Sequence, residues 1–333
     1  MTSQRKPILH IKGLRTQFFL QEGTVTALDG IDLTVYEKES VGIVGETGCG
    51  KSMTAFSILR LIPHPGRITG GLIQFKGIDI TKLNQDQMRG IRGKRISMIF
   101  QDPSTSLDPV FTIGQQLGEV ISLHQNVYDR AQLDARIQEA LHLVRIAAPE
   151  SVMRQYPHEL SGGMKQRVMI ALALSCSPEL LIADEPTTAL DVTIQAQVLN
   201  LLKDLIRTTG ASMILITHNL GVVAETCDRV CIMYAGRIVE EAETFELFGK
   251  PMHPYTRGLL TAFPKLGEQK EELSVIRGTV PNLMNPFPGC SFVDRCDFAT
   301  DQCRLVRPKM AEVTPGHLVA CHLYPSGGEK DNA

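Results

Sequence analysis

Along this chain, short apolar runs rich in β-branched residues alternate with longer stretches whose apolar positions recur every three or four residues. Residues 40–44, 96–100, 180–183 and 212–217 are near-continuous apolar runs of strand length, the pattern of strands buried on both faces. Residues 52–61 follow the first of these segments with helical spacing and 163–175 precede the third, so an α/β core built on a parallel sheet is expected. Residues 8–19 and 25–36 instead alternate with period two around the turn-like Gln21-Glu22-Gly23, which predicts an antiparallel β subdomain packed beside the main sheet. Between residues 113 and 153 the spacing is helical, most clearly over 129–145, and predicts an inserted helical subdomain at about residues 104–160. After about Phe263 the pattern breaks up at Pro264, Pro281, Pro286, Pro288, Pro308 and Pro315. The expected division is a main domain over residues 1–262 and a small accessory domain over 263–333, whose last stretch, 326–333, reads as a disordered polar tail.

Composition narrows the function classes. With 34 Lys and Arg against 36 Asp and Glu, the formal net charge of −2 gives no field to draw the chain onto nucleic acid or anionic lipid. Neither an apolar leader-like segment nor an apolar run of spanning length occurs, so a protein that is neither secreted nor membrane-spanning is expected, attached to a membrane through a partner if at all. Of the eight cysteines, Cys49, Cys176, Cys227 and Cys231 are scattered, whereas Cys290, Cys296, Cys303 and Cys321 crowd the last fifth. In a reducing cytoplasm the crowded four raise a question of ligands rather than of disulfides.

Gly45-Glu46-Thr47-Gly48-Cys49-Gly50-Lys51-Ser52 fits G-x-x-x-x-G-K-S between a strand and a helix. In that context glycines let consecutive N–H groups face a phosphate, and the helix N-terminus adds its positive end. Lys51 then neutralises the outer phosphates of ATP and Ser52 ligates Mg²⁺. Cys49, at a variable position, reads as a small filler. The run Leu180-Leu181-Ile182-Ala183-Asp184-Glu185 carries two carboxylates to the carboxyl end of a strand. Neighbours on a strand point to opposite faces, which separates Asp184, in the Mg²⁺ shell, from Glu185, facing the attacking water.

Leu160-Ser161-Gly162-Gly163-Met164-Lys165-Gln166-Arg167, ahead of the acidic strand, resembles the signature motif of ATP-binding-cassette (ABC) proteins. The resemblance implies a P-loop nucleotide-binding domain that hydrolyses ATP, and it extends position by position. Phe18 matches the aromatic that stacks on adenine, and Gln101 the loop that contacts metal and membrane partner. Asp191, in Ala189-Leu190-Asp191, matches the segment at the dimer interface, and His218 the switch histidine that reaches the γ-phosphate. Met164 departs from the Gln most often found there. In this family the signature of one cassette, here Ser161, Gly162, Gly163 and Met164, closes over the ATP of another. One copy of each motif therefore implies a second cassette subunit. Long insertions and a second cassette in the same chain, features of relatives that act on DNA or ribosomes, are lacking.

Within the family, the SGGM signature, His253-Pro254-Tyr255-Thr256 and the cysteine-bearing extension resemble the ATPase subunits of oligopeptide, dipeptide and nickel importers. That branch implies a second ATPase subunit, a sister chain (heterodimer) favoured over an identical one (homodimer), with two membrane-spanning permease subunits and an extracytoplasmic binding protein. It places the chain at the cytoplasmic face of the inner membrane. Physically, Pro254 also fits as the residue that starts a helix. The spacing C-x5-C-x6-C-x17-C of Cys290, Cys296, Cys303 and Cys321 leaves Zn²⁺ and an iron–sulfur cluster open. The wide gaps suit a cluster better than a zinc knuckle, and the resemblance implies a [4Fe-4S] centre, with a structural role.

Overall fold

A computed structural model describes residues 6–188, 190–261, 276–281, 283–284 and 287–324. Its elements begin with β1 (Pro7–Leu20), β2 (Gly23–Tyr36), β3 (Ser40–Val44), α1 (Lys51–Leu59), β4 (Gly66–Phe75), β5 (Ile78–Asp79), α2 (Gln85–Arg89) and β6 (Ile96–Ile99). A helical stretch follows: α3 (Pro103–Ser106), α4 (Ile113–Gln125), α5 (Arg130–Leu143), α6 (Pro149–Val152) and α7 (Gly162–Leu174). Then come β7 (Leu180–Asp184), α8 (Val192–Thr209), β8 (Ser212–Thr217), α9 (Leu220–Thr226), β9 (Arg229–Tyr234), β10 (Arg237–Glu243), α10 (Thr244–Gly249) and α11 (Pro254–Thr261). The chain closes on α12 (Asp301–Leu305), β11 (Ala311–Thr314) and β12 (His317–Val319). The four apolar runs are β3, β6, β7 and β8, within a residue of the expected bounds, and the strands expected around the Gln21–Gly23 turn are β1 and β2.

The chain divides into two compact units, one from Met1–Ile8, Val35–Ser40 and Lys82–Ile216, the other from Leu9–Thr34, Val41–Thr81 and Thr217–Ala333. In the first, β6, β7 and β8 pair in parallel, Ile96 opposite Leu180 and Leu180 opposite Ser212. All residues of β6 and β7 are buried, which is why these strands lack the alternation of a half-exposed sheet. Helices α4, α5 and α7 pack on one another, and Leu117, Ile121, Ile137, Leu141 and Val168 are among their buried residues. Thr112 opens α4 with a reciprocal cap: its Oγ1 accepts from Gln115 N, and Gln115 Oε1 accepts from Thr112 N.

In the second unit, β3 pairs in parallel with β9, while β10, β12 and β11 continue antiparallel beyond β9. A four-stranded antiparallel sheet in the order β2-β1-β4-β5 completes the expected β subdomain. Because β12 pairs with β10, the C-terminal segment is tied to the strand that precedes α10. The tie is reinforced by Glu240 on β10, fully buried, whose carboxylate accepts from Met252 N, His253 N and His317 Nε2 at 2.7 to 2.9 Å. The expected boundary at Phe263 and the tail over residues 326–333 lie outside the described residues.

Candidate functional site

The loop after β3 is built by two demands on its backbone. A Cβ on Gly45 would stand 2.1 Å from the carbonyl oxygen of Met233 on β9, so only hydrogen fits. Gly50, at φ 107°, is in a positive-φ region that favours glycine, and a Cβ there would stand 2.7 Å from Met233 Cε and 2.8 Å from Ala27 O. Gly50 also caps α1 with no side-chain hydrogen bond, so the helix presents its first-turn N–H groups without a side-chain acceptor from its cap, the arrangement that suits an anion. Lys51 is 6% exposed, and its Nζ donates to the carbonyl oxygens of Gly45 at 2.8 Å and Glu46 at 3.0 Å. Thr47 and Gly48 are exposed, and Ser52 is half-buried on the first turn of α1. Cys49 is buried, burial pushes its thiol pKa up, and it packs as the expected filler.

On the neighbouring strands, Phe18 of β1 is half-buried and stands opposite Gly66 of β4, where any larger residue would meet the Phe18 ring. Phe19, next to it, is more exposed and carries the Arg67 guanidinium 4.2 Å from its ring centroid. His218 is exposed just beyond β8, one residue ahead of Asn219, which caps α9.

In the other unit, Asp184 ends β7 and is 2% exposed, whereas Glu185 leaves the strand with φ 45°. Glu185 thus leaves the strand in a left-handed turn, where simple strand alternation was expected. A non-glycine residue held there costs about 1–3 kcal/mol of backbone strain, of the kind concentrated at functional sites. The Glu185 carboxylate accepts from Thr188 Oγ1 at 2.8 Å and Gln101 Nε2 at 3.2 Å, so the structure brings Gln101 and Glu185 together. Gln101 donates through Nε2, leaving Oε1 as the end suited to a metal. Within this unit the Gln101 amide oxygen and the Asp184 carboxylate are oxygen donors of the kind Mg²⁺ takes, as is the Ser52 hydroxyl within its own unit.

The signature residues open α7. Ser161 is its N-cap, the hydroxyl accepting from Met164 N at 3.4 Å, and Ser161 and Gly162 are exposed. Gly163 has a packing reason as well, since a Cβ there would stand 3.0 Å from Ile194 of α8. Asp191 caps α8, its Oδ1 accepting from Ile194 N at 3.0 Å, while Ala189 lies outside the described residues.

Two residues that contact the loop through Glu46 carried no role in the sequence reading. Tyr255, fully buried, accepts from Glu46 N through its hydroxyl at 3.0 Å. Arg295, between Cys290 and Cys296, forms a two-pronged pair with the Glu46 carboxylate. The His253-Pro254-Tyr255-Thr256 motif does start α11, as expected, with His253 Nδ1 accepting from Tyr255 N. Burial brings the His253 pKa down to about 3, which keeps the ring a neutral acceptor. The presence of Tyr255 in a quoted motif was the only available signal for the first contact, and nothing local flags the second.

Cys290, Cys296, Cys303 and Cys321, all free thiols, line one cavity of about 100 Å³ together with Phe292 and His322. Burial raises the pKa of Cys290 to about 11 and moves those of Cys296 and Cys321 the same way. Among the described residues no three His, Cys, Asp or Glu side chains are grouped to hold one metal ion, so the four cysteines line one cavity without forming a ligand cage, and the geometry does not support the expected [4Fe-4S] cluster.

A family model described as ABC transporter matches residues 28–188, and one described as the C-terminal region of oligopeptide/dipeptide transporters matches residues 239–303. The chain is 53% identical to the probable peptide ABC transporter ATP-binding protein y4tR of Sinorhizobium fredii, over 94% of each chain. It is 47% identical to the oligopeptide transport ATP-binding protein AppD of Bacillus subtilis, over 98% of this chain and 99% of that one. Among solved structures, the dimeric ATP-binding cassette MJ0796 in a post-hydrolysis state with ADP and Pi matches with a TM-score of 0.64 at 27% identity, covering 71% of this chain and 98% of that one.

Proposed function

The chain belongs to the ABC transporter family of ATP-hydrolysing subunits, and on that premise we propose that it powers an importer of di- and oligopeptides. The match of residues 239–303 to the peptide-transporter C-terminal region and the peptide names of the relatives favour peptide over nickel. The observation that carries the hydrolytic role is the strained, doubly hydrogen-bonded Glu185 at the end of β7.

In this reading, Phe18 stacks on adenine, and the loop from Gly45 to Ser52 holds the phosphates, with Lys51 opposing their charge. By the resemblance, Ser52, Asp184 and Gln101 are the residues that would hold Mg²⁺, which would neutralise phosphate charge. Glu185 takes a proton from a water whose oxygen forms the bond to the γ-phosphorus as the bond to the ADP oxygen breaks. Thr188 and Gln101 keep its carboxylate aimed, and His218 contacts the γ-phosphate.

Ser161, Gly162, Gly163 and Met164 act on the ATP of a partner cassette, and Asp191 lies at that interface. A sister ATPase subunit, two permease subunits and, indirectly, an extracytoplasmic binding protein complete the machine. Among the described residues no helix is long and apolar enough to cross a membrane. In this reading the permeases hold the chain at the cytoplasmic face of the inner membrane. The isolated chain is accordingly expected to turn over ATP slowly and to be stimulated by sister cassette and permeases in an ATPase titration. Full activity where sedimentation shows only monomer would contradict the shared site.

Within the same reading, the spacing of the four cysteines and the resemblance to the peptide-importer branch imply a [4Fe-4S] centre as a structural staple for a segment with little apolar core, Zn²⁺ being the alternative. Four cysteines are the ligand number such a cluster would take, although their thiols form no cage here, and a cluster would supply cross-linking rather than electrons. Protein purified without oxygen is expected to be brown, with iron and sulfide each at about four per chain. Cys303→Ser should lose the colour and keep ATP binding, whereas colourless protein with one tight zinc per chain overturns the cluster.

A further inference from the structure

Glu46 places a carboxylate inside the loop read as the phosphate loop, where its charge opposes a triphosphate and competes for the Lys51 ammonium. Arg295 meets it with two parallel hydrogen bonds, Nη1 to Oε2 at 2.8 Å and Nη2 to Oε1 at 2.9 Å. The Arg295 side chain is 7% exposed and that of Glu46 25%, so this is not a surface ion pair of negligible worth. The guanidinium is itself fixed, with Nε donating to Arg277 O at 2.8 Å and the Tyr234 ring centroid 5.7 Å away. The backbone of Glu46 is fixed as well, with its N–H on the Tyr255 hydroxyl and its carbonyl oxygen on Lys51 Nζ. Glu46 is thus clamped at side chain and main chain, and the side-chain clamp comes from the residue next to Cys296.

We propose that Arg295 is a positioning residue for nucleotide binding: by holding the Glu46 carboxylate it keeps that charge away from Lys51 and the phosphates, and it ties the loop to the cysteine segment. The proposal rests on residues 45–52 being the phosphate loop. Removing Arg295 leaves an uncompensated carboxylate beside the lysine, whereas removing both charges restores the lysine to the ligand. A purely structural role for Arg295 predicts the opposite order, because the double variant lacks both partners.

The test is equilibrium binding of ATP·Mg²⁺ to the full-length chain, with thermal unfolding recorded in parallel. Arg295→Met is expected to weaken ATP affinity by about 10-fold, the worth of a charge-assisted hydrogen-bond pair, and adding Glu46→Gln is expected to return it to within about threefold of wild type. Unchanged affinity in Arg295→Met, or a double variant as weak as the single one, overturns the proposal. Where Arg295→Met alone does not fold, the double variant decides by the same limits. Lys51→Ala serves as the reference: wild-type ATP affinity there overturns the phosphate-loop reading itself, while a loss there with none in Arg295→Met overturns only the role of Arg295.

Discussion

Replacing Glu185 with Gln is expected to slow ATP hydrolysis by about 100- to 10,000-fold while ATP·Mg²⁺ still binds, the usual worth of a positioned base. The substitution is close to isosteric. A Gln oxygen still accepts from Thr188 Oγ1 and Gln101 Nε2, so the side chain keeps its place and the left-handed backbone at φ 45° is untouched. What is lost is the capacity to take a proton from water. Phosphate release under saturating ATP, measured beside nucleotide binding, separates the two effects. Near-normal turnover would remove Glu185 from the role of base.

Lys51→Ala acts on the other half of the chemistry. The Lys51 ammonium is a buried point charge tied to two loop carbonyls, Gly45 O and Glu46 O. Its removal takes away a charge-assisted contact worth about 1.5–3 kcal/mol, so ATP affinity is expected to fall by about 10- to 100-fold with Glu185 intact. Equilibrium binding with a fluorescent ATP analogue reads this directly. An unchanged dissociation constant would contradict the assignment of residues 45–52.

The parts of the site that were legible in sequence are those whose chemistry is local. Lys51 and Ser52 follow their glycines within one loop, Asp184 and Glu185 sit at one strand end, and Ser161 caps the helix that its own motif opens. The buried strands β3, β6, β7 and β8 were legible for the same reason, as unbroken apolar runs. The strands beyond β9 were not. Arg237–Glu243 carries four charged residues, and Glu240, which reads as solvent-facing, is buried because two backbone N–H groups and His317 converge on it. The Arg295–Glu46 pair spans 249 positions and has no motif to announce it. Asp191 shows the converse, since the residue matched to an interface is, in the fold, the cap of α8, and both roles suit an exposed Asp.

The central claim, that ATP hydrolysis by this chain drives peptide import, is tested most directly by uptake of a labelled peptide into cells whose own copy carries Glu185→Gln. Uptake at background level, restored by the wild-type chain, is the predicted result. Uptake equal to wild type in cells that contain only the Gln variant would contradict it.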